Sequence, residues 1–154
     1  MQCKKALEEA AGDMEKAQEA LLKASSGIAA KKAGRNLGAG VVAAYTHAGG
    51  LTASGVARAG SVVGAVVLAC ETDFVAKNEE FSKLAYDISM HVAAMNPHCI
   101  NGDEEGHENC TKEDALLEQS FIKDPGKTVR VLIEEAIQKF GEKIEITRFE
   151  RLVA

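Results

Sequence analysis

Four stretches of the chain carry residue types that could do chemistry. Gly126-Lys127-Thr128 has the form of the end of a phosphate-binding loop. Such a loop needs a glycine five residues before its second glycine, and that position holds Phe121. Gly38-Ala39-Gly40-Val41-Val42-Ala43 fits a dinucleotide fingerprint on spacing. The fingerprint also requires a strand before it, a helix after it and an acid about 20 residues on, whereas the first acid to follow is Glu71. His98, Cys99, His107 and Cys110 are zinc-ligand types, but their spacing is not that of a finger or ribbon. Asn101, Asp103, Glu105 and Gly106 open like a calcium loop, and the closing position holds Lys112 instead of Glu. Residues 97–112 therefore read as an acidic surface loop, with a metal-binding loop as the alternative. No Ser/His/Asp pattern stands in a recognisable motif. The expectation is a protein that is not an enzyme, with no cofactor, no resident metal and no catalytic residue.

A fifth stretch is of another kind. Thr72-Asp73-Phe74-Val75 is a short polar and aromatic turn between an apolar run at 62–69 and an amphipathic segment. Phe74 has two readings there. It folds back onto the core, as phenylalanine commonly does, or a rigid scaffold holds it outward as a binding residue.

The elements around that turn are legible from pattern. Residues 62–69, VVGAVVLA, form a continuous β-prone run, read as a central strand buried on both faces. Gly64 within it offers close approach to a helix. Asn78 caps a helix with Glu79 and Glu80 in its first turn. Phe81, Leu84, Ala85, Ile88, Val92 and Met95 line one face, His91 lies at the edge of that stripe, and Asn96-Pro97 stops the helix. Gly126-Lys127-Thr128 opens a second helix with an apolar face of Val129, Leu132, Ile133, Ala136, Ile137 and Phe140, ended by Gly141. Ile144 and Ile146 alternate with polar residues, so 143–149 is a strand. Gly38 and Gly40 lead into a strand at 41–46, Gly49-Gly50 turns the chain, and 53–58 is weakly specified. At the start, a short helix over 3–11 ends at Gly12, and Asp13 caps a second one.

Composition bounds the class. Of 154 residues 46% are hydrophobic, enough for one sizeable core. Net charge is −5, yet residues 20–70 hold no acid and carry Lys23, Lys31, Lys32, Arg35 and Arg58. That stretch lacks interleaved aromatics and reads as a solvated linker face, so no direct nucleic-acid partner is expected. No apolar run spans a bilayer, and the opening MQCKKALEE has the pattern of neither a signal nor a transit peptide. Cys3, Cys70, Cys99 and Cys110 are scattered, which fits reduced thiols in an intracellular compartment.

Two strings carry a resemblance. TDFVAKNEEF and CKKALEEAAGD resemble elongation factor Ts, and the ending FGEKIEITRFERL is similar to that family's last helix and strand. The resemblance implies an α+β fold. Residues 1–26 would be a partial ubiquitin-associated-like helical domain whose usual first helix falls before this start, 27–39 a linker, and 40–154 a core of a three-stranded antiparallel sheet packed with helices. It implies a guanine nucleotide exchange factor for elongation factor Tu in translation elongation, binding its GDP-bound and nucleotide-free forms. Thr72, Asp73, Phe74 and Val75 match the partner-binding turn that disturbs the partner's Mg²⁺ site, which favours the outward reading of Phe74. It also implies a possible homodimer and a cytoplasmic, or organellar matrix, location. The family's longer, largely helical excursion after Met95-Asn96-Pro97 is reduced here to a short loop, which leaves a non-exchanging binding module on the same fold as the other reading.

Overall fold

The computed structural model describes residues 2–47, 60–102 and 110–154. The turn expected at Gly49-Gly50, the segment 53–58, and Asp103, Glu105, Gly106 and His107 lie outside the described residues. In chain order the elements are α1 (Gln2–Glu9), α2 (Met14–Lys32), β1 (Ala39–His47), β2 (Val62–Cys70), α3 (Asp73–Ala76), α4 (Glu79–Met95), β3 (Ser120–Phe121), β4 (Asp124–Thr128), α5 (Val129–Phe140) and β5 (Ile144–Val153). The fold is mixed α and β. Its main sheet has the order β1-β2-β5 with both pairings antiparallel, and β3 and β4 form a separate small ribbon.

The main sheet is laid over α4. Gly64, Val66, Leu68 and Cys70 of β2 are buried on the helix side, against the stripe Phe81, Ala85, Ile88 and Val92. Gly64 permits the close approach, because a Cβ there would stand 2.2 Å from the Ser89 carbonyl oxygen and 2.6 Å from the Ala93 nitrogen. Asn78 caps α4 by accepting from the Glu80 N–H at 2.8 Å. Asn96 ends it in a left-handed conformation at φ 51°, which asparagine tolerates better than most residues with a side chain, and Pro97 follows. Thr128 caps α5 through the Val131 N–H, and Gly141 ends it at φ 74°, a conformation glycine adopts without a Cβ clash.

Several expectations need correction. The central strand β2 is not buried on both faces: Val63, Ala65 and Val67 are only half-buried. Opposite them on β1, Val42 and Ala44 are exposed. On this side of β2 only Ala69, near Leu37, is buried. Gly126-Lys127 does not open a helix but lies in β4, and Lys127 pairs with Glu135 at 2.7 Å. The helix of α2 runs on through Ser25-Ser26-Gly27 to Lys32, through the first half of the segment read as linker. It docks on α5, where Ser25 meets Gln138, Ser26 donates to Glu134 at 2.6 Å, and Lys32 reaches the Gly141 carbonyl. Side-chain bonds to a neighbouring helix support a helix through serine and glycine whose intrinsic propensity is poor.

The cysteine expectation fails for one pair. Cys99 and Cys110 are joined in a disulfide, while Cys70 is free and buried. The chain returns alongside itself at this point, with Cys99 and Ala115 in a parallel bridge: Leu116 N–H donates to the Cys99 carbonyl at 2.8 Å, and His98 N–H donates to the Asp114 carbonyl at 2.9 Å. Sequence spacing carries no record of that return. Closing so short a loop removes about 2–3 kcal/mol of unfolded-state entropy.

His91 is not a boundary residue either. It is fully buried beside Phe121. Its Nδ1 accepts the Ile122 N–H at 3.2 Å, so the neutral ring carries its proton on Nε2 and donates to Gln119 Oε1 at 3.0 Å. Burial lowers its pKa below 6.5, against a smaller opposing effect of the Gln119 bond. A protonated ring would turn a second N–H against the Ile122 N–H. The unfolded chain binds this proton more readily than the folded one, so stability is full above the ordinary pKa and falls as pH drops below about 6.5. The decline levels off once His91 protonates in the folded protein. Denaturant unfolding from pH 7.5 to 5 should show this slope in the parent and a flatter one in His91→Gln. Equal slopes would remove the role given to His91.

Candidate partner-binding site

The site is built at the end of β2. Cys70, the last residue of the strand, is fully buried, and its thiol donates to the Thr72 carbonyl at 3.3 Å. Burial first, and the nearby Glu142 charge second, push that thiol's pKa up, so it is held protonated and is no nucleophile. Thr72 is extended, at φ −129° and ψ 153°, and precedes the single turn α3. Its hydroxyl does not cap that turn. It donates instead to Glu142 Oε1 at 2.6 Å.

One helical turn sorts the next residues. Val75 is 5% exposed and belongs to the core, and Ala76 packs against it. Asp73 and Phe74 are thereby left outside, and Phe74 is 88% exposed. The Asp73 carboxylate faces Lys77 at 3.2 Å, a surface pair open to water and worth little to stability. The Asn78 N–H donates to the Val75 carbonyl at 3.0 Å and joins α3 directly to α4. Beneath lies Phe81, fully buried and edge-on to Phe140 of α5 at 5.9 Å between ring centroids. A projecting aromatic thus stands on a packed base.

Of the four residues expected at the site, Asp73 and Phe74 present side chains to solvent, Thr72 is exposed but engaged with Glu142, and Val75 is an anchor in the core. The site also includes residues that pattern reading missed. Glu142 Oε2 accepts the N–H groups of Glu71 and Thr72 at 3.1 and 3.0 Å. Glu71 Oε1 in turn accepts the Lys143 N–H at 2.5 Å and faces Arg35 at 3.1 Å. The Lys143 bond, followed by Arg35, holds the Glu71 carboxyl below the usual range. The only signal for this pair was the Gly141-Glu142 step in the similar C-terminal string.

The other candidate sites lie only partly among the described residues. Among the described residues no three His, Cys, Asp or Glu converge as metal ligands. His98 lies near Asp114 at 3.7 Å, and Cys99 is tied to Cys110. No helix among the described residues is long and apolar enough to cross a membrane.

Known proteins similar to the chain agree on one family. The elongation factor Ts of Desulforamulus reducens is 43% identical over 183 aligned residues, covering 98% of this chain and 80% of the relative. The chain belongs to the elongation factor Ts family. The elongation factor Ts of Acetivibrio thermocellus is likewise 43% identical with the same coverage. That of Thermoanaerobacter pseudethanolicus is 40% identical, covering 98% and 85%. No protein-family model matches the chain. Membership places it with the elongation factors of protein biosynthesis. The aligned span of 183 residues exceeds the 154 of this chain, so these relatives carry insertions within the matched region.

Proposed function

We propose that this elongation factor Ts homologue is the guanine nucleotide exchange factor of elongation factor Tu. It binds the GDP-bound and the nucleotide-free forms, prefers the latter, and so promotes GDP release. The observation that carries the reading is Phe74, almost fully exposed on a turn whose neighbours are buried or bonded. An exposed aromatic gains nothing for the fold, whereas such residues anchor interfaces when a partner buries them. Reciprocity supplies the rest: a protein that binds the empty state more tightly than the GDP state weakens GDP by the same factor. Asp73 and Phe74 act by entering near the partner's Mg²⁺ site, Thr72 and Val75 hold the turn, and no covalent step is required. The test is release of fluorescent GDP from elongation factor Tu with and without this protein. Binding without faster release would establish a scaffold.

The finer organisation belongs to the same proposal. Residues 1–26 belong to a ubiquitin-associated-like helical unit, 27–39 join it to the core, and 40–154 are the core domain. The bacterial relatives support a cytoplasmic location. The core pairs with a second copy through the open side of its sheet. Val42, 76% exposed, and Leu152, 65% exposed, flank the half-buried Val63, Ala65 and Val67 there, and Arg148 and Glu150 on β5 form an ion pair at 2.9 Å. An apolar sheet face of this kind is unusual on a monomer, and two copies would cover each other as a self-complementary pair. Light scattering should give a dimer for the parent and a monomer for Val42→Lys. A monomeric parent with full exchange activity would refute the dimer.

A further inference from the structure

The two carboxylates beside the projecting aromatic form a reciprocal clasp. Glu142, just after α5, takes both backbone N–H groups of 71–72 and the Thr72 hydroxyl. Glu71, just after β2, takes the backbone N–H of Lys143. Each side chain therefore binds the other's chain segment, and the two segments lie 70 residues apart in sequence for the Thr72 bonds. Both carboxylates are half-buried. None of these bonds belongs to a helix or a ladder, and all converge on the two residues that precede Asp73 and Phe74. We infer that Glu142 and Glu71 are positioning residues for Phe74: the clasp sets the direction in which α3 leaves the sheet, and with it the angle of the aromatic ring. The inference rests on the exchange reading and deepens it. Charge-assisted bonds to backbone N–H groups are short and directional, which suits them to fixing a loop that must not yield when the aromatic is pressed into a partner.

The test uses the full chain and elongation factor Tu loaded with fluorescent GDP. Glu142→Ala should slow GDP release at saturating factor roughly tenfold, the scale expected when charge-assisted bonds are lost. Glu142→Gln should recover most of the rate. Its amide oxygen accepts the two N–H groups, and its amide N–H donates to a Thr72 hydroxyl that rotates to accept. In a Phe74→Ala background, Glu142→Ala should change the rate by less than about twofold, because a positioning residue acts only through what it positions. A destabilised fold would instead show the same factor with or without the ring. Full activity of Glu142→Ala, equal factors in the two backgrounds, or failure of Glu142→Gln to recover would each overturn the assignment. Should Glu142→Ala not fold, Thr72→Val deletes one bond of the clasp alone. A partial rate loss at a near-parent melting temperature supports the clasp, and an unchanged rate overturns it. A Phe74→Ala protein that releases GDP at the parent rate overturns the exchange reading itself, and this inference with it.

Discussion

Phe74→Ala should melt within a degree or two of the parent and lose most of its ability to release GDP. A phenylalanine in a core costs about 3–5 kcal/mol when truncated to alanine. Phe74 is 88% exposed and outside the core cluster, so its truncation belongs with surface substitutions that stay within about 0.5 kcal/mol. A partner that buries the ring reverses the balance. Truncating an aromatic anchor at an interface costs roughly 2 kcal/mol or more, about thirtyfold in affinity or coupling. The measurement is a thermal melt beside a GDP-release assay on the same preparation. A melt many degrees lower would place Phe74 in the fold, and an unchanged release rate would remove it from the mechanism. Asp73→Asn separates two roles for the neighbouring charge. Its loss should be comparable to that of Phe74→Ala if the carboxylate acts near the Mg²⁺ site, and smaller if it acts only through water and Lys77.

Gly64→Val should show the opposite pattern. Gly64 lies in β2 under α4, and a Cβ there would stand 2.2 Å from Ser89 O, 2.6 Å from Ala93 N and 3.1 Å from Ala93 Cβ. Two of those atoms are helix backbone, so no rotamer change relieves the contact. The helix must move off the sheet, and the packing of Ile88 and Val92 on β2 goes with it. Forcing a side chain into a close-packed site costs typically about 1–3 kcal/mol and occasionally more. With backbone on the receiving side, Gly64→Val belongs at or above about 3 kcal/mol, a fall in melting temperature of roughly 6–12 °C for a chain of this size. Gly64→Ala should fall between the two. Below its melting temperature the folded fraction should still release GDP, because the Phe74 turn is built at the other end of β2. A Gly64→Val protein that melts with the parent would show that α4 does not depend on this contact.

Much of the molecule was legible in the amino-acid order because the forces involved are local. The apolar stripe of α4, its Asn78 cap and its stop at Asn96, and the Thr128 and Gly141 ends of α5 each depend on residues within about four positions of one another. Strand pattern located β1, β2 and β5, and Gly64 announced a close approach. Phe74 is singled out by its place between a strand and a helix; pattern alone leaves its direction open and the family resemblance favours outward, because a one-residue rotation of α3 would exchange it with Val75 and the packed base of the turn decides which side chain faces inward. The apolar character of β2 invited burial on both faces. Whether a face is covered is a property of where the other elements go, and none of the described ones goes there. His91 looked like an edge residue on its own helix, and is buried because β3 and the residues on either side of it close over it from 28 to 31 residues away. The Cys99–Cys110 bond and the Glu71–Glu142 clasp could not be read from spacing for the same reason. Hydrogen bonds and thiol pairs between distant segments depend on the chain's path, and that path is set by the summed burial of the whole core rather than by any stretch of sequence near the bond.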